Sequence, residues 1–271
     1  MLIIVLFCGP CGPSIRIQVN IVMYTCIKCG AEVDELYRRY SPSVLKVLKC
    51  DKCDSIADKY IEYDPVILLV DLVLLNKSAY RHLLYNSGFK SYWKLIVVLL
   101  LGESFRIWSS SATKDSFQLP EVHQADNDVF EREGSFYVIL LHTTLSLGAF
   151  VCAVIGVTEL RWIILGGKPK KYRALDLGRA LTVGGCAKLL ALLDMVWGHI
   201  SPHHHYALIH GYTVLCLLTA YSVVCESGRS GSLVGLAGGL FAYGYVASNI
   251  VGIHPALINY DNATVVKVLA Q

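Results

Sequence analysis

The sequence predicts a small N-terminal β zinc ribbon followed by an α-helical polytopic membrane domain of about four to five transmembrane helices. Three observations carry this reading. Cys26-Ile-Lys-Cys29 and Cys50-Asp-Lys-Cys53 are two CxxC pairs with twenty residues between them. Hydrophobic residues make up 54% of the 271-residue chain and charged residues only 17%, with a mean hydropathy of +0.50, a balance too apolar for an ordinary soluble domain. Long apolar runs then recur from Tyr92 to Ile253. The net charge of +3 is too small for a nucleic-acid binder, which needs a concentrated basic face.

Taken in order, residues 1–22 read as an N-terminal extension ahead of Met23. The apolar run Leu2–Phe7 has no basic flank and is too short to span a bilayer or to count as a cleaved signal. Cys8 and Cys11 are an alternative metal pair. Residues 23–86 form the head. Two thiolates three positions apart on a tight turn share one ion, and two such turns close a tetrahedral shell, so Cys26, Cys29, Cys50 and Cys53 are the expected ligands of a structural zinc. A closed shell leaves no position for substrate, and the metal's expected role is to hold the fold. Gly30 allows the backbone to turn after the first pair, and the polar run to Ser41-Pro42 suits a hairpin excursion before Val44, Leu45, Val47 and Leu48. Of the ten cysteines, four lie in these metal-type pairs and Cys152, Cys186, Cys216 and Cys225 lie singly in apolar runs, which favours a reducing compartment for the head.

Asp64-Pro65 is a helix start, with a capping residue followed by proline at the first helical position. The helix is expected from Val66 to Asn86. Its apolar part is too short to span the hydrocarbon and contains Asp71, so it is placed in the membrane interface with its aromatic and basic residues at headgroup level. Tyr60, Glu62, Tyr63, Asp64, Tyr80, Arg81 and His82 are the candidate lipid-interface residues of the head.

The cysteine quartet, the stretch Lys59-Tyr-Ile-Glu-Tyr-Asp64 and the run from Pro65 to Asn86 with Ala79-Tyr-Arg-His82 resemble the homology domain of the Arv-type proteins, endoplasmic-reticulum membrane proteins of lipid homeostasis. The match covers about sixty residues closely, and the rest resembles the family only as a string of apolar spans. The resemblance implies a zinc ribbon joined to a lipid-associated segment. It further implies a mediator of sterol and lipid transport with effects on sphingolipid balance, or alternatively a scaffold for early glycosylphosphatidylinositol-anchor assembly. Implied partners are membrane lipids including sterols and lipid-anchor biosynthetic enzymes.

Residues 87–271 form the membrane domain. Tyr92–Trp108 is a short span or a re-entrant helix, interrupted by Glu103 and Arg106, which are expected to pair at three-residue spacing. Residues 109–134 are polar and acidic and read as a loop. Phe136–Thr158, Leu177–Trp197, Tyr206–Cys225 and Leu233–Ile253 complete five spans. Arg161, Lys168, Lys170, Lys171 and Arg173 mark a cytosolic loop, which places the ribbon in the cytosol and the Asn262-Ala-Thr264 sequon in the lumen.

Lys188 and Asp194 fall within one predicted span, where a charge costs roughly 2.5–3.5 kcal/mol on insertion scales. Lys188 is therefore a candidate for contact with a lipid headgroup or another span, and the alternatives are pairing with a neighbouring carboxylate or a span boundary that falls elsewhere. His199, His203, His204, His205 and His210 cluster at a turn, as a metal site or as ordinary wet histidines. Gly235-Leu-Ala-Gly-Gly239 has small-residue spacing suited to close helix packing. No phosphate loop, nucleophile elbow or metalloprotease helix is present, and His142 is the one hint of membrane acyl transfer. The expectation is a protein without enzymatic activity.

Overall fold

The computed structural model describes residues 24–41, 45–89, 91–115, 125–166, 169, 172–197, 202–226 and 229–251. Cys8, Cys11, the sequon and the loop lysines 168, 170 and 171 lie outside them, as do His199 and the side chains of Asp194 and His203–His205.

The head contains two antiparallel hairpins. β1 (Tyr24–Thr25) pairs with β2 (Glu32–Val33), and β3 (Tyr37–Arg39) pairs with β4 (Leu45–Val47). A bridge between Lys49 and Ile56 flanks the second cysteine pair. Strands this short cannot bury a core of their own, so cross-linking has to come from elsewhere. A 3₁₀ turn at Lys59–Ile61 leads to α1 (Pro65–Val73), which begins where the sequence predicts, with Pro65 in the first turn, although the Asp64 side chain makes no capping bond.

The single helix expected over Val66–Asn86 is broken. Leu75 takes a left-handed backbone (φ 60°), Asn76 accepts from the Ser78 amide, and α2 (Lys77–Arg81) restarts before a π-helical turn at His82–Asn86. Asn76 is the reason the sequence allows this, because its short amide caps the second helix. The segment is therefore a helical hairpin with its apex at residues 74–76.

Among the described residues five helical passages follow: α3 (Tyr92–Asp115), α4 (Ala125–Leu165), α5 (Ala174–Gly185) continued through a 3₁₀ turn (Cys186–Leu189) into α6 (Leu190–Trp197), α7 (Pro202–Cys225) and α8 (Arg229–Val251). Among the described residues, three stretches are long and apolar enough to cross a membrane: Phe136–Ile164, Ala207–Cys225 and Gly231–Ser248. Tyr92–Asp115 and Ala174–Trp197 are helical without meeting that standard, the first because Glu103 and Arg106 interrupt it and the second because the 3₁₀ turn divides it. The acidic stretch expected as a loop is partly helical, since α3 runs on to Asp115 and α4 begins at Ala125.

The passages pack through one continuous core that includes Phe150, Val154, Leu177, Leu181, Tyr221 and Leu236, and it reaches into the hairpin through Leu72, Tyr80, Leu83 and Leu84. The Thr158 and Tyr221 hydroxyls bond at 2.9 Å between α4 and α7. The glycines of α8 allow the close approach that their spacing predicts: a Cβ on Gly235 would lie 2.8 Å from the Tyr221 hydroxyl, and one on Gly239 would collide with Val154. His142 is buried with Nε2 3.4 Å from the Ala247 carbonyl, a contact between α4 and α8.

Gly184 makes the tightest backbone approach, since its Cβ would stand 3.1 Å from Leu217 Cα and 3.2 Å from the Cys216 carbonyl oxygen. Backbone cannot yield as a side chain does. Gly184→Leu is expected to destabilise the α5–α7 contact by about 1–3 kcal/mol, seen as a lower thermal midpoint in detergent, whereas Gly156→Leu, with nothing within 4 Å, leaves the midpoint unchanged.

Candidate metal centre

Each cysteine pair sits on a tight turn of the same design. The Gly30 amide donates to the Cys26 carbonyl at 2.9 Å and the Asp54 amide to the Cys50 carbonyl at 2.8 Å. The residue after each pair is left-handed, with φ of 79° at Gly30 and 50° at Asp54. Glycine adopts that conformation freely, and aspartate is among the few other residues that tolerate it.

The two turns face each other. Cys26 Sγ lies 3.8 Å from Cys53 Sγ, Cys29 Sγ lies 3.7 Å from Cys50 Sγ, and all four sulfurs fall within 4.8 Å of one another. A tetrahedral ion with metal–sulfur bonds of about 2.3 Å places its sulfurs about 3.8 Å apart, so the quartet fits a tetrathiolate metal site. All four thiols are free of disulfides. Burial pushes the Cys26 thiol up to about 12, while the Ser55 backbone amide leads the interactions that hold Cys53 down at about 7. A metal bound here displaces any protons those sulfurs still carry.

The ribbon is bolted to the hairpin through residues on α2 and its π turn. Asp58 is fully buried and accepts from the Tyr60 amide at 3.0 Å and from Asn86 Nδ2 at 2.6 Å, with His82 Nδ1 also at 2.6 Å. Asn86 also embraces the backbone of Thr25, accepting from its amide at 2.9 Å and donating to its carbonyl at 2.8 Å. Arg81 Nη1 donates to the carbonyls of Ile27 and Lys28, the two residues between the first ligands, at 3.0 and 2.7 Å. His82 and Asn86, the first and last residues of the π turn, reach the same carboxylate, and π turns are frequent at functional positions. Asp58 and Asn86 were not singled out by sequence reasoning. Their one signal is that Asn86 follows His82 at four-residue spacing.

A second tie joins the ribbon to α1. Asp71, the lone charge of that helix, accepts from the Tyr60 hydroxyl at 2.6 Å and from Lys59 Nζ at 3.3 Å. The Tyr60 bond leads the effects that hold the Asp71 carboxyl below its ordinary 3.8, and burial raises Tyr60. Among the other sequence candidates, Tyr80 is buried in the core against the membrane helices, Tyr63 stacks edge-on to Tyr60 at 6.2 Å, and Glu62 and Asp64 are exposed. Lys188 lies on the 3₁₀ turn, 3.5 Å from Glu103 Oε1, and Glu103 also meets Arg106 Nη2 at 2.9 Å.

The chain belongs to the Arv1-like family, whose sequence model matches residues 25–221. It is similar to Protein ARV1 of Mus musculus, at 34% identity over 223 residues covering 80% of this chain and 80% of the mouse protein. Protein ARV1 of Homo sapiens is 32% identical over 225 residues, 80% of this chain and 78% of the human one. Protein ARV 2 of Arabidopsis thaliana is 37% identical over 98 residues, 34% of this chain and 43% of the plant protein. No solved structure matches the chain.

Removing the buried carboxylate leaves the donors around it without their acceptor. Asp58→Ala is expected to destabilise the head by about 3 kcal/mol, read as faster loss of bound metal to a chelator and faster proteolysis within residues 24–64. Tyr60→Phe is milder, about 1–2 kcal/mol. Because the Asp71 carboxyl is depressed in the folded state, this tie is at full strength above its ordinary value of 3.8 and is lost as pH falls through the depressed one. The difference in thermal midpoint between wild type and Tyr60→Phe should therefore hold at neutral pH and close in strong acid.

Proposed function

We propose that the protein is a non-enzymatic lipid-handling protein of the endoplasmic-reticulum membrane, mediating the movement and distribution of sterols and other lipids. In this reading a zinc ion held by Cys26, Cys29, Cys50 and Cys53 rigidifies a cytosolic ribbon, and the ribbon fixes the α1–α2 hairpin against the bilayer. Family membership supports a role in lipid homeostasis at the level of the resemblance described above.

The observation that carries the reading is the outer face of α1. Val66, Ile67, Val70, Val73 and Leu74 recur at helical spacing and are 45–70% exposed. The Tyr212 hydroxyl donates to the Val73 carbonyl at 2.7 Å. Tyr212 lies within the apolar stretch Ala207–Cys225, thirteen residues before Cys225 and so about 20 Å along the helix. That level belongs to the hydrocarbon if α7 spans, which makes acyl chains the natural cover for the face. On insertion scales five such residues supply only about 2 kcal/mol. The ties to Asp58, Asp71 and Tyr212 are therefore needed to hold the hairpin in place.

A scaffold role in lipid-anchor assembly draws its support from the ribbon's exposed Tyr37 and Tyr40, which suit a protein contact. The readings separate in purified protein. Liposomes carrying the full chain should exchange a fluorescent sterol several-fold faster than protein-free liposomes, and Cys26→Ser/Cys29→Ser should abolish the gain. Absence of exchange together with a stable complex with glycosyltransferase subunits would replace transport by scaffolding.

A further inference from the structure

A cavity of about 620 Å³ lies among α3, α4, α5, α7 and α8, within the range of small-molecule ligand sites. Leu99, Leu147, Val151, Ile155 and Leu217 form much of its wall. The threonines in the wall add little polarity. Thr144, Thr182 and Thr213 each donate to the carbonyl four residues earlier, on Leu140, Gly178 and Ile209.

The charged side chains in the wall are Arg179 and Lys188, with His210 beside them, and among the described residues no carboxylate joins them there. Arg179 and Lys188 are nine residues apart along α5 and its continuation, about 14 Å. Their counter-charges belong to neighbouring positions outside the wall: Asp176 at 3.1 Å from Arg179 Nη1 and Glu103 at 3.5 Å from Lys188 Nζ. Lys188 also lies over the Tyr243 ring at 4.9 Å. Arg179 keeps a half-exposed side chain over the Tyr92 ring, in the second turn of α5. A guanidinium favours an anion, and arginine matches phosphate geometry better than lysine does. Gly148 and Gly178 face open space, since a Cβ on either meets nothing within 4 Å.

We infer that this cavity binds an anionic phospholipid, one whose phosphate charge no headgroup cation offsets, with an acyl chain along the hydrocarbon wall and the phosphate at Arg179. The inference rests on the lipid-handling reading above and assigns that reading a site. A sterol, which carries one hydroxyl and no charge, gains nothing from Arg179.

The test uses the full chain, extracted from vesicles of phosphatidylcholine doped with labelled phosphatidylglycerol, labelled phosphatidylcholine or a fluorescent sterol, with retained probe counted per protein. Wild type should retain the anionic probe about tenfold over the zwitterionic one, a difference of about 1.4 kcal/mol. Gly148→Leu and Gly178→Leu fill the cavity and should abolish that retention. Gly156→Leu, on the same α4 helix but outside the wall, should not. Arg179→Gln should erase the preference between the two phospholipids. Thermal midpoints confirm that each variant is folded. Equal retention by the filled variants, or preferential retention of the sterol, overturns the assignment. Filled variants that lose no retention yet still exchange sterol between vesicles would sink the cavity and spare lipid handling, whereas a wild type that neither retains a probe nor exchanges sterol would sink both.

Discussion

One buried carboxylate joins the two halves of the head. Asp58 lies in the ribbon, yet two of the groups around it, His82 and Asn86, come from the hairpin. A fully buried carboxylate is costly unless hydrogen bonds surround it. The π turn that supplies those two groups and the extended backbone before the 3₁₀ turn must therefore form together. Arg81 extends the coupling to the first cysteine turn itself, because its guanidinium holds the carbonyls of Ile27 and Lys28. The geometry of the cysteine turn and the position of the hairpin are consequently parts of one arrangement.

That coupling gives the metal site a consequence beyond local order. Strands of two and three residues have almost no stability of their own. A metal held by the four thiolates would supply the cross-link, and the ties from Asp58 and Asp71 would carry that rigidity to α1, whose apolar face the described residues leave exposed. Within the helical domain the same rule governs charge. Glu103, Arg106 and Lys188 would each be expensive alone among apolar helices, and they occur as one cluster joining α3 to the 3₁₀ turn between α5 and α6.

The cysteine quartet, the helix start at Pro65, the Glu103–Arg106 pair and the glycine face of α8 were legible because each depends on local spacing. The break at Leu75 was not, since the apolar pattern continues through it and only Asn76 hints at a second cap. Tyr80, Arg81 and His82 read as a run of interfacial residues, but consecutive helical positions point in different directions. Tyr80 enters the core, Arg81 reaches the first cysteine turn and His82 meets Asp58. Lys188 could be recognised as needing a partner; that the partner is Glu103, eighty-five positions earlier, depends on packing that no local pattern encodes.

Hydrogen exchange with and without a chelator tests most directly whether a metal held by the ribbon fixes the hairpin. With the full chain in nanodiscs, stripping the metal should raise amide exchange across residues 24–64 and, to a comparable degree, across residues 76–86. Faster exchange confined to the ribbon, with the hairpin as protected as before, would contradict the account.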